Sequence, residues 1–425
     1  MKFLVIGAGM QARAVAYDLV RQKDVREVRI TDIDPERLQS LKRALRSRKV
    51  RTFVADAGDR RRMTELMKPC DVAVSCVPYF LNLGLARAAV AVRTHFCDLG
   101  GNNDVVHAEL GLSAQAKKAG VTVVPDCGLA PGMVSILAAD GFSRLAQTDA
   151  IHIRVGGLPR KPKPPLNYAL VFSANGLINE YVEPCLALRN GRLAWREPLA
   201  DVEELTFPRP FGRLEAFNTS GGSSTLPYTY RGRVKALDYK TIRYPGHCTK
   251  FRLLFDLGLT DMKPVEVNGK SIVPRHLLIQ RLEAVLPWEK DDVVLMRVEV
   301  EGKGSRNRGF KDSSGGRREG TDGEMKVRYE LVDYADRRSG LTAMMRTTGF
   351  SAAIVALMLG RGQVVCAGAF TGENCVPSAA FILELRQRGL ELTMHTTYEP
   401  RLTKPKDGCA ARRGRRASRR ASRRV

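Results

Sequence analysis

Gly7, Gly9, Met10, Gln11 and Ala12 form a Gly-x-Gly-x-x-Ala turn, and an acid, Asp32, follows later. Glycine at 7 permits a sharp bend, and glycine at 9 lets backbone N–H groups approach a ligand. Alanine at 12 lets a helix pack closely on a strand. The helix starting near Met10 aims unpaired N–H groups and a positive dipole end at whatever lies over the turn, which suits a pyrophosphate. A carboxylate at 32 accepts hydrogen bonds from ribose hydroxyls and repels a 2′-phosphate. The expected cofactor is therefore NAD, with NADP disfavoured and Arg37 softening that preference. Asp56 and the run Cys76-Val77-Pro78 fall where further strands should end, on the same rim as the turn.

These residues need a scaffold, and the sequence supplies one. Lys2–Ile6 and Val28–Asp32 flank the turn as strands. Runs at 50–55, 71–75, 94–98 and 121–126 repeat the pattern with helices between, such as 81–91 and 105–119. Alternation at this pitch predicts an α/β fold, a Rossmann-type doubly wound parallel sheet binding ligands beyond its carboxyl strand ends. Asp98 and Asp126 also lie on that rim. After Pro131 a helix should run to about Leu145. Beyond it the pattern turns to short strands with hairpin signals at Asn190-Gly191 and Asn268-Gly269, and a helix over 274–285. The expected organisation is a cofactor domain over 1–130, completed by a returning segment 346–395. A second α+β domain with a mixed or antiparallel sheet fills 131–345, and a disordered basic tail covers 400–425.

With 425 residues and 44% hydrophobic composition, two or three domains are expected. No apolar run approaches the ~18 residues of a membrane span, Phe350–Leu359 reads as a buried helix, and the N-terminus is no secretory signal. Nine cysteines without C-x-x-C spacing point to reduced thiols, a cytoplasmic location and no metal site. Of the net charge of +24, residues 401–425 supply +10, with eleven Lys or Arg against Asp407, and the rest of the chain +14. Such a tail attracts nucleic acid or is simply solvated. The run 302–323, rich in Gly, Ser and Arg, reads as a long hairpin loop.

Several separated strings resemble the saccharopine dehydrogenase-like oxidoreductases, most of all the lysine 6-dehydrogenases. They are Cys97–Gly101, Pro125–Met133, Pro164–Tyr168, Glu215–Gly222 and Tyr239–His247, and the likeness covers about residues 1–395. It implies NAD-dependent oxidative deamination of the ε-amine of L-lysine: hydride leaves the ε-carbon, the imine is hydrolysed, and the product cyclises to 1-piperideine-6-carboxylate. Hydride loss needs a neutral amine, although a free lysine amine has a pKa of about 10.4, so a base or a desolvating pocket is required. On this reading Arg243 holds the substrate carboxylate and His247 is the acid–base group, with Lys240 and Tyr168 completing the catalytic set, Tyr168 either orienting the substrate or simply packing. Asp98 and Asp126 bind the α-ammonium, or else cap the loops that follow them. The expected partners are an amino-acid substrate and a second copy in a homo-oligomer, a dimer, with no membrane. Alternatives are a glutamate-forming saccharopine dehydrogenase, a carboxynorspermidine-type dehydrogenase, or an idle NAD-sensing scaffold whose tail binds nucleic acid.

Overall fold

The computed structural model describes residues 1–304, 310–311, 317–318 and 323–400. The basic tail and most of the 302–323 loop lie outside these residues.

The first half alternates as the sequence predicts. It runs β1 (Lys2–Ile6), α1 (Met10–Leu19), β2 (Glu27–Asp32), α2 (Pro35–Leu45), β3 (Val50–Val54), α3 (Arg60–Met67) and β4 (Val72–Ser75). A short 3₁₀ turn at Tyr79–Leu81 then leads into α4 (Asn82–Ala91), β5 (His95–Asp98), α5 (Asn103–Leu110), α6 (Ser113–Ala119) and β6 (Thr122–Val124). The single helix expected over 105–119 is two, because the chain breaks at Gly111-Leu112. Local chemistry sets the boundaries: Asp34 accepts from the N–H of Glu36 at 2.8 Å with Pro35 at the first helical position, and Asn102 caps α5 through Val105 N–H at 3.1 Å.

All six strands are parallel in the order 6-5-4-1-2-3, and β19 (Gly368–Ala369) adds a seventh beside β6. The order reverses between β1 and β4, the crevice where such sheets bind ligands.

The second half continues with α7 (Met133–Arg144), β7 (Gln147–Pro159), α8 (Ala174–Val182), β8 (Cys185–Arg189), β9 (Arg192–Arg196), β10 (Glu203–Phe207) and β11 (Gly212–Asn218). Next come α9 (Leu226–Tyr230), β12 (Ala236–Arg243), α10 (His247–Asp256), β13 (Val265–Val267), β14 (Lys270–Ile272), α11 (Pro274–Val285) and β15 (Asp292–Lys303). The small pair β16 (Phe310–Lys311) and β17 (Arg317–Arg318) precedes β18 (Gly323–Tyr334). The path of the large mixed sheet is 10-11-12-7-15-18-20, with β20 (Leu392–Pro400) at its edge and β8 and β9 attached beside β12. Only β7 and β12 pair in parallel among the strand pairs described in this sheet. Both predicted hairpins are present, with positive φ at Asn190-Gly191 and at Asn268-Gly269.

After β18 the chain returns through α12 (Ala343–Gly360) to β19 and α13 (Gly372–Cys375), then α14 (Ser378–Gln387) leads to β20 in the second sheet. Helix α12 corrects an expectation. It is 18 residues long and apolar enough to cross a membrane by length and composition, whereas the sequence reading saw no run of that length. Here 78% of it is buried inside the protein, packed on α1, β4 and β5 on one side and β15 on the other. Gly349 makes this crossing close, since a Cβ there would sit 2.4 Å from Ala14 Cβ.

Candidate active site

At the opening turn Gly7 has φ +102°, and its N–H donates to Thr31 O at 2.7 Å. The Ala8 N–H donates to Asp32 Oδ2 at 2.7 Å and the Asp34 N–H to Asp32 Oδ1 at 2.9 Å, so the acid fixes the turn. Each oxygen keeps lone-pair capacity for a ribose hydroxyl. A Cβ added at Gly9 would meet nothing within 4 Å, and α1 starts there with no side-chain cap. Its first N–H groups therefore face open space, and Gln11 Oε1 is buried without a partner among the described residues. This cradle fits a dinucleotide pyrophosphate. Cys76 and Val77 line the other side of the turn, against Gly7. Asp56 is exposed and closes its own turn onto the Gly58 N–H at 2.8 Å, and Met10 and Pro78 are exposed at the rim.

A cavity of about 140 Å³ opens beyond the ends of β5 and β6. The first half contributes Leu99 and the stretch Gly128–Pro131, and α12 contributes Met344 and Thr348. The second half contributes Tyr239, Thr241 and Arg243 from β12, with Phe172 and Glu180 opposite. Alternation along β12 explains which residues arrive: 239, 241 and 243 share one face, while 238, 240 and 242 point the other way. Gly157 keeps the floor thin, because a Cβ there would lie 2.6 Å from Met344 Cε.

Arg243 is the cavity's cation. Its Nε donates to the Tyr181 hydroxyl at 2.9 Å and its Nη1 to Ile242 O at 2.9 Å. The guanidinium lies 4.8 Å from the centre of the Tyr168 ring. Nη2 has no hydrogen bond to the described residues, which leaves the outer edge of the guanidinium for a carboxylate. Behind it His247 is buried among Tyr168, Tyr181, Phe217 and Phe251. Its Nδ1 meets Leu166 O at 3.0 Å, so that nitrogen carries the proton and Nε2 accepts from Tyr181 at 3.1 Å. Burial, reinforced by Arg243, pushes the imidazole down to about 3, and it stays neutral.

The structure therefore separates several residues that the sequence placed together. His247 does not line the cavity; it orients Arg243 through Tyr181. Lys240 is on the opposite face of β12, where Nζ meets Glu203 at 2.7 Å and Asp201 O at 2.7 Å. It belongs to an ion-pair network with Arg154 and Asp238 instead of a catalytic set. Tyr168 is buried against Arg243, its hydroxyl has no partner among the described residues, and burial raises it to about 12. Asp98 is fully buried and spends Oδ1 on the N–H groups of Gly100, at 2.6 Å, and Asp126, at 3.3 Å. The loop-capping alternative describes it. Its other oxygen faces Glu109, and burial drives both carboxyls upward, so the pair holds a proton. Asp126, at φ +60°, accepts from Ser224 and ties the two halves together, while burial and then Asp98 raise it to about 8.

Glu180 is the residue the sequence reading missed. It lines the cavity half-buried, and burial outweighs Arg243 to raise its carboxyl to about 7. No motif surrounds it, and only folding brings α8 against β12.

Two family models cover this architecture: the saccharopine dehydrogenase NADP binding domain over residues 3–124, and the saccharopine dehydrogenase C-terminal domain over 128–390. Saccharopine dehydrogenase [NADP(+), L-glutamate-forming] of Saccharomyces cerevisiae is 22% identical over 305 residues, which span 68% of this chain and 65% of the yeast protein. The bovine mitochondrial alpha-aminoadipic semialdehyde synthase is 24% identical over 269 residues, 61% of this chain and 28% of its own length. Carboxyaminopropylagmatine dehydrogenase of Synechocystis is 23% identical over 420 residues, covering 92% of this chain and 96% of that protein. Among solved structures, apo saccharopine dehydrogenase from S. cerevisiae superposes with a TM-score of 0.73 at 18% identity, covering 93% of this chain and 99% of that one. Homospermidine synthase from Legionella pneumophila, in complex with NAD, gives 0.61 at 12% identity, covering 98% of this chain and 95% of that one. A parallel nucleotide-binding sheet, a mixed sheet closing its rim and both family models over the same residues agree: the chain belongs to the saccharopine dehydrogenase family of oxidoreductases.

Proposed function

We propose that the protein is an NAD(P)-dependent dehydrogenase that oxidises a carbon–nitrogen bond of an amino-acid amine. The observation behind this is the cavity itself, where the rim of a dinucleotide-binding sheet meets one guanidinium and one carboxyl. Gly7, Gly9 and the start of α1 would hold the pyrophosphate, and Asp32 the ribose, where the acid favours NAD over NADP. The bound nicotinamide supplies hydride acceptance. Arg243 anchors the substrate carboxylate, and Tyr181 and His247 fix that guanidinium. Phe172, Met344 and Leu99 keep water from the reacting carbon.

The ε-amine of L-lysine is the proposed substrate. Arg243 is the only cation among the described residues that line the cavity, which suits one carboxylate, whereas saccharopine carries more than one and asks for further cations. A second reading, an amine of the carboxynorspermidine kind, draws support from the Synechocystis relative, which matches along nearly its whole length. The deciding experiment follows NADH and NADPH formation with L-lysine, saccharopine, carboxynorspermidine and carboxyaminopropylagmatine in parallel. Turnover of L-lysine with NAD is expected. Reduction with saccharopine alone would overturn the substrate, and reduction with none would overturn the reaction class.

A further inference from the structure

We propose that the carboxylate of Glu180 takes the proton from the substrate's ammonium nitrogen before hydride leaves the neighbouring carbon. This deepens the amine-oxidising reading above and rests on it.

The backbone of Glu180 is fixed from several sides. Ser173 caps the start of α8 through the Gly176 N–H at 3.0 Å, and Arg275 of α11 donates to Asn175 Oδ1 at 2.9 Å and also binds Asn179. The Glu180 carbonyl accepts from Ser220 N–H at 2.9 Å. Its neighbour Tyr181 belongs to the Arg243–His247 chain. The helix is held, yet the Glu180 side chain has no hydrogen-bond donor among the described residues, although it lines the cavity. A half-buried carboxylate with no hydrogen-bond donor among the described residues, near a guanidinium held by Tyr181 and Ile242, is poised for a ligand.

The ionisable groups around it come from β12 (Arg243 and Tyr239), from the segment before α8 (Tyr168), and from α8 and its end (Tyr181 and Glu183). Burial keeps all three tyrosines protonated at neutral pH, and Glu183 is engaged by Ser220 Oγ at 3.2 Å. His247 is neutral and does not line the cavity. Among the lining residues Glu180 is thus the one whose protonation changes near neutrality, at about 7, because burial outweighs Arg243 and Glu183 adds to it. A general base works best with its pKa near the working pH.

The chemistry balances. One N–H bond of the ammonium breaks and an O–H bond forms on Glu180, and the electron pair stays on nitrogen. That pair forms the C=N bond as the C–H bond breaks and hydride departs to the nicotinamide. During hydrolysis the imine carbon takes up water, the proton on Glu180 and one proton of that water pass to the departing nitrogen, which leaves as ammonium, the other water proton goes to solvent, and the carboxylate is restored.

The test compares wild type, Glu180→Gln and Glu180→Asp with the fastest amine of the four-substrate panel. The expected rate rises with pH around a midpoint near 7 in the wild type, since the base must be ionised. Glu180→Gln should lower kcat by on the order of 10²–10³-fold with KM changed far less, and should abolish that rise. Dinucleotide binding, followed by fluorescence titration, should stay the same. Glu180→Asp should keep the pH-dependent limb with a moved midpoint. If Glu180→Gln folds and retains kcat and the limb, the proposal falls while the dehydrogenase reading stands. If it does not fold, Glu180→Asp decides, and an unmoved midpoint overturns the proposal. If the wild type reduces neither cofactor with any amine, the functional reading fails first and this proposal falls with it.

Discussion

Arg243 donates from Nε to the hydroxyl of Tyr181 at 2.9 Å, and that one bond links a charged cavity wall to a buried histidine. Tyr181 passes its own proton toward His247 Nε2, 3.1 Å away, and Leu166 O takes the proton of Nδ1. Every donor in the chain has one acceptor, which selects one histidine tautomer and one guanidinium plane.

Tyr181→Phe should therefore act on binding. It strands Arg243 Nε and His247 Nε2 together, a loss of about 1–2 kcal/mol, which corresponds to KM rising roughly tenfold with kcat changed less. Arg243→Lys, which removes the flat guanidinium edge, should raise KM further, by ~100-fold. Steady-state kinetics with carboxylate-bearing and decarboxylated amines checks both, because the decarboxylated amine should not distinguish the variants.

His247→Ala should lower the melting temperature, since it leaves a hole among Tyr168, Tyr181, Phe217 and Phe251. The imidazole is already neutral at every working pH, so the pH profile of kcat should keep its midpoint. Loss of that limb in His247→Ala would return the acid–base role to the histidine.

Lys240→Met should leave kcat and KM close to wild type. The ammonium is bound to Glu203 on the far face of β12, and Arg154 still pairs with that carboxylate, so the change in stability should be about 1 kcal/mol. Thermal unfolding alongside kinetics tests this, and a large fall in kcat would contradict the placement of Lys240.

Gly9→Ala separates binding from folding. The backbone there has φ −73°, which alanine adopts freely, and the new methyl group meets no protein atom within 4 Å. The melting temperature should hold while dinucleotide affinity drops at least roughly tenfold, because the pyrophosphate needs that space. Calorimetric titration with NAD and NADP measures the drop.

Asp126 binds its proton more tightly in the folded chain than in the unfolded one, with its pKa raised to about 8. The stability this contributes is complete below the ordinary carboxylate range and fades as pH rises through 8. Asp126→Asn should flatten the dependence of melting temperature on pH between about 5 and 9, with a gain of a few degrees at the alkaline end. Differential scanning calorimetry across that range is the check.

The nucleotide half was legible in the sequence because its signals are local. A strand, a glycine turn, a helix and an acid are each defined by their neighbours, and in the second half the helix expected over 274–285 is present with Pro274 in its first turn. The cavity was legible only in part. Arg243, His247 and Lys240 lie within eight residues, but a two-residue period turns Lys240 to the other face, and the step from β12 into α10 buries His247. Sequence distance carries neither fact. Asp98 and Asp126 do stand at the rim as expected, yet both turn inward to backbone N–H groups and Ser224. Glu180 had no local signal at all, because its significance comes from a guanidinium on another element.

The long returning helix has one more consequence. α12 lies with Gly349 pressed on Ala14 and with Met344 and Thr348 at the cavity, so a single rigid rod touches both the cofactor's helix and the substrate's chamber. Cutting the chain near residue 130 would strip the apolar side of α1 bare. The nucleotide half is therefore a poor candidate for excision or transplantation as a standalone module, and bulk introduced at Gly349 should disturb both ligands at once.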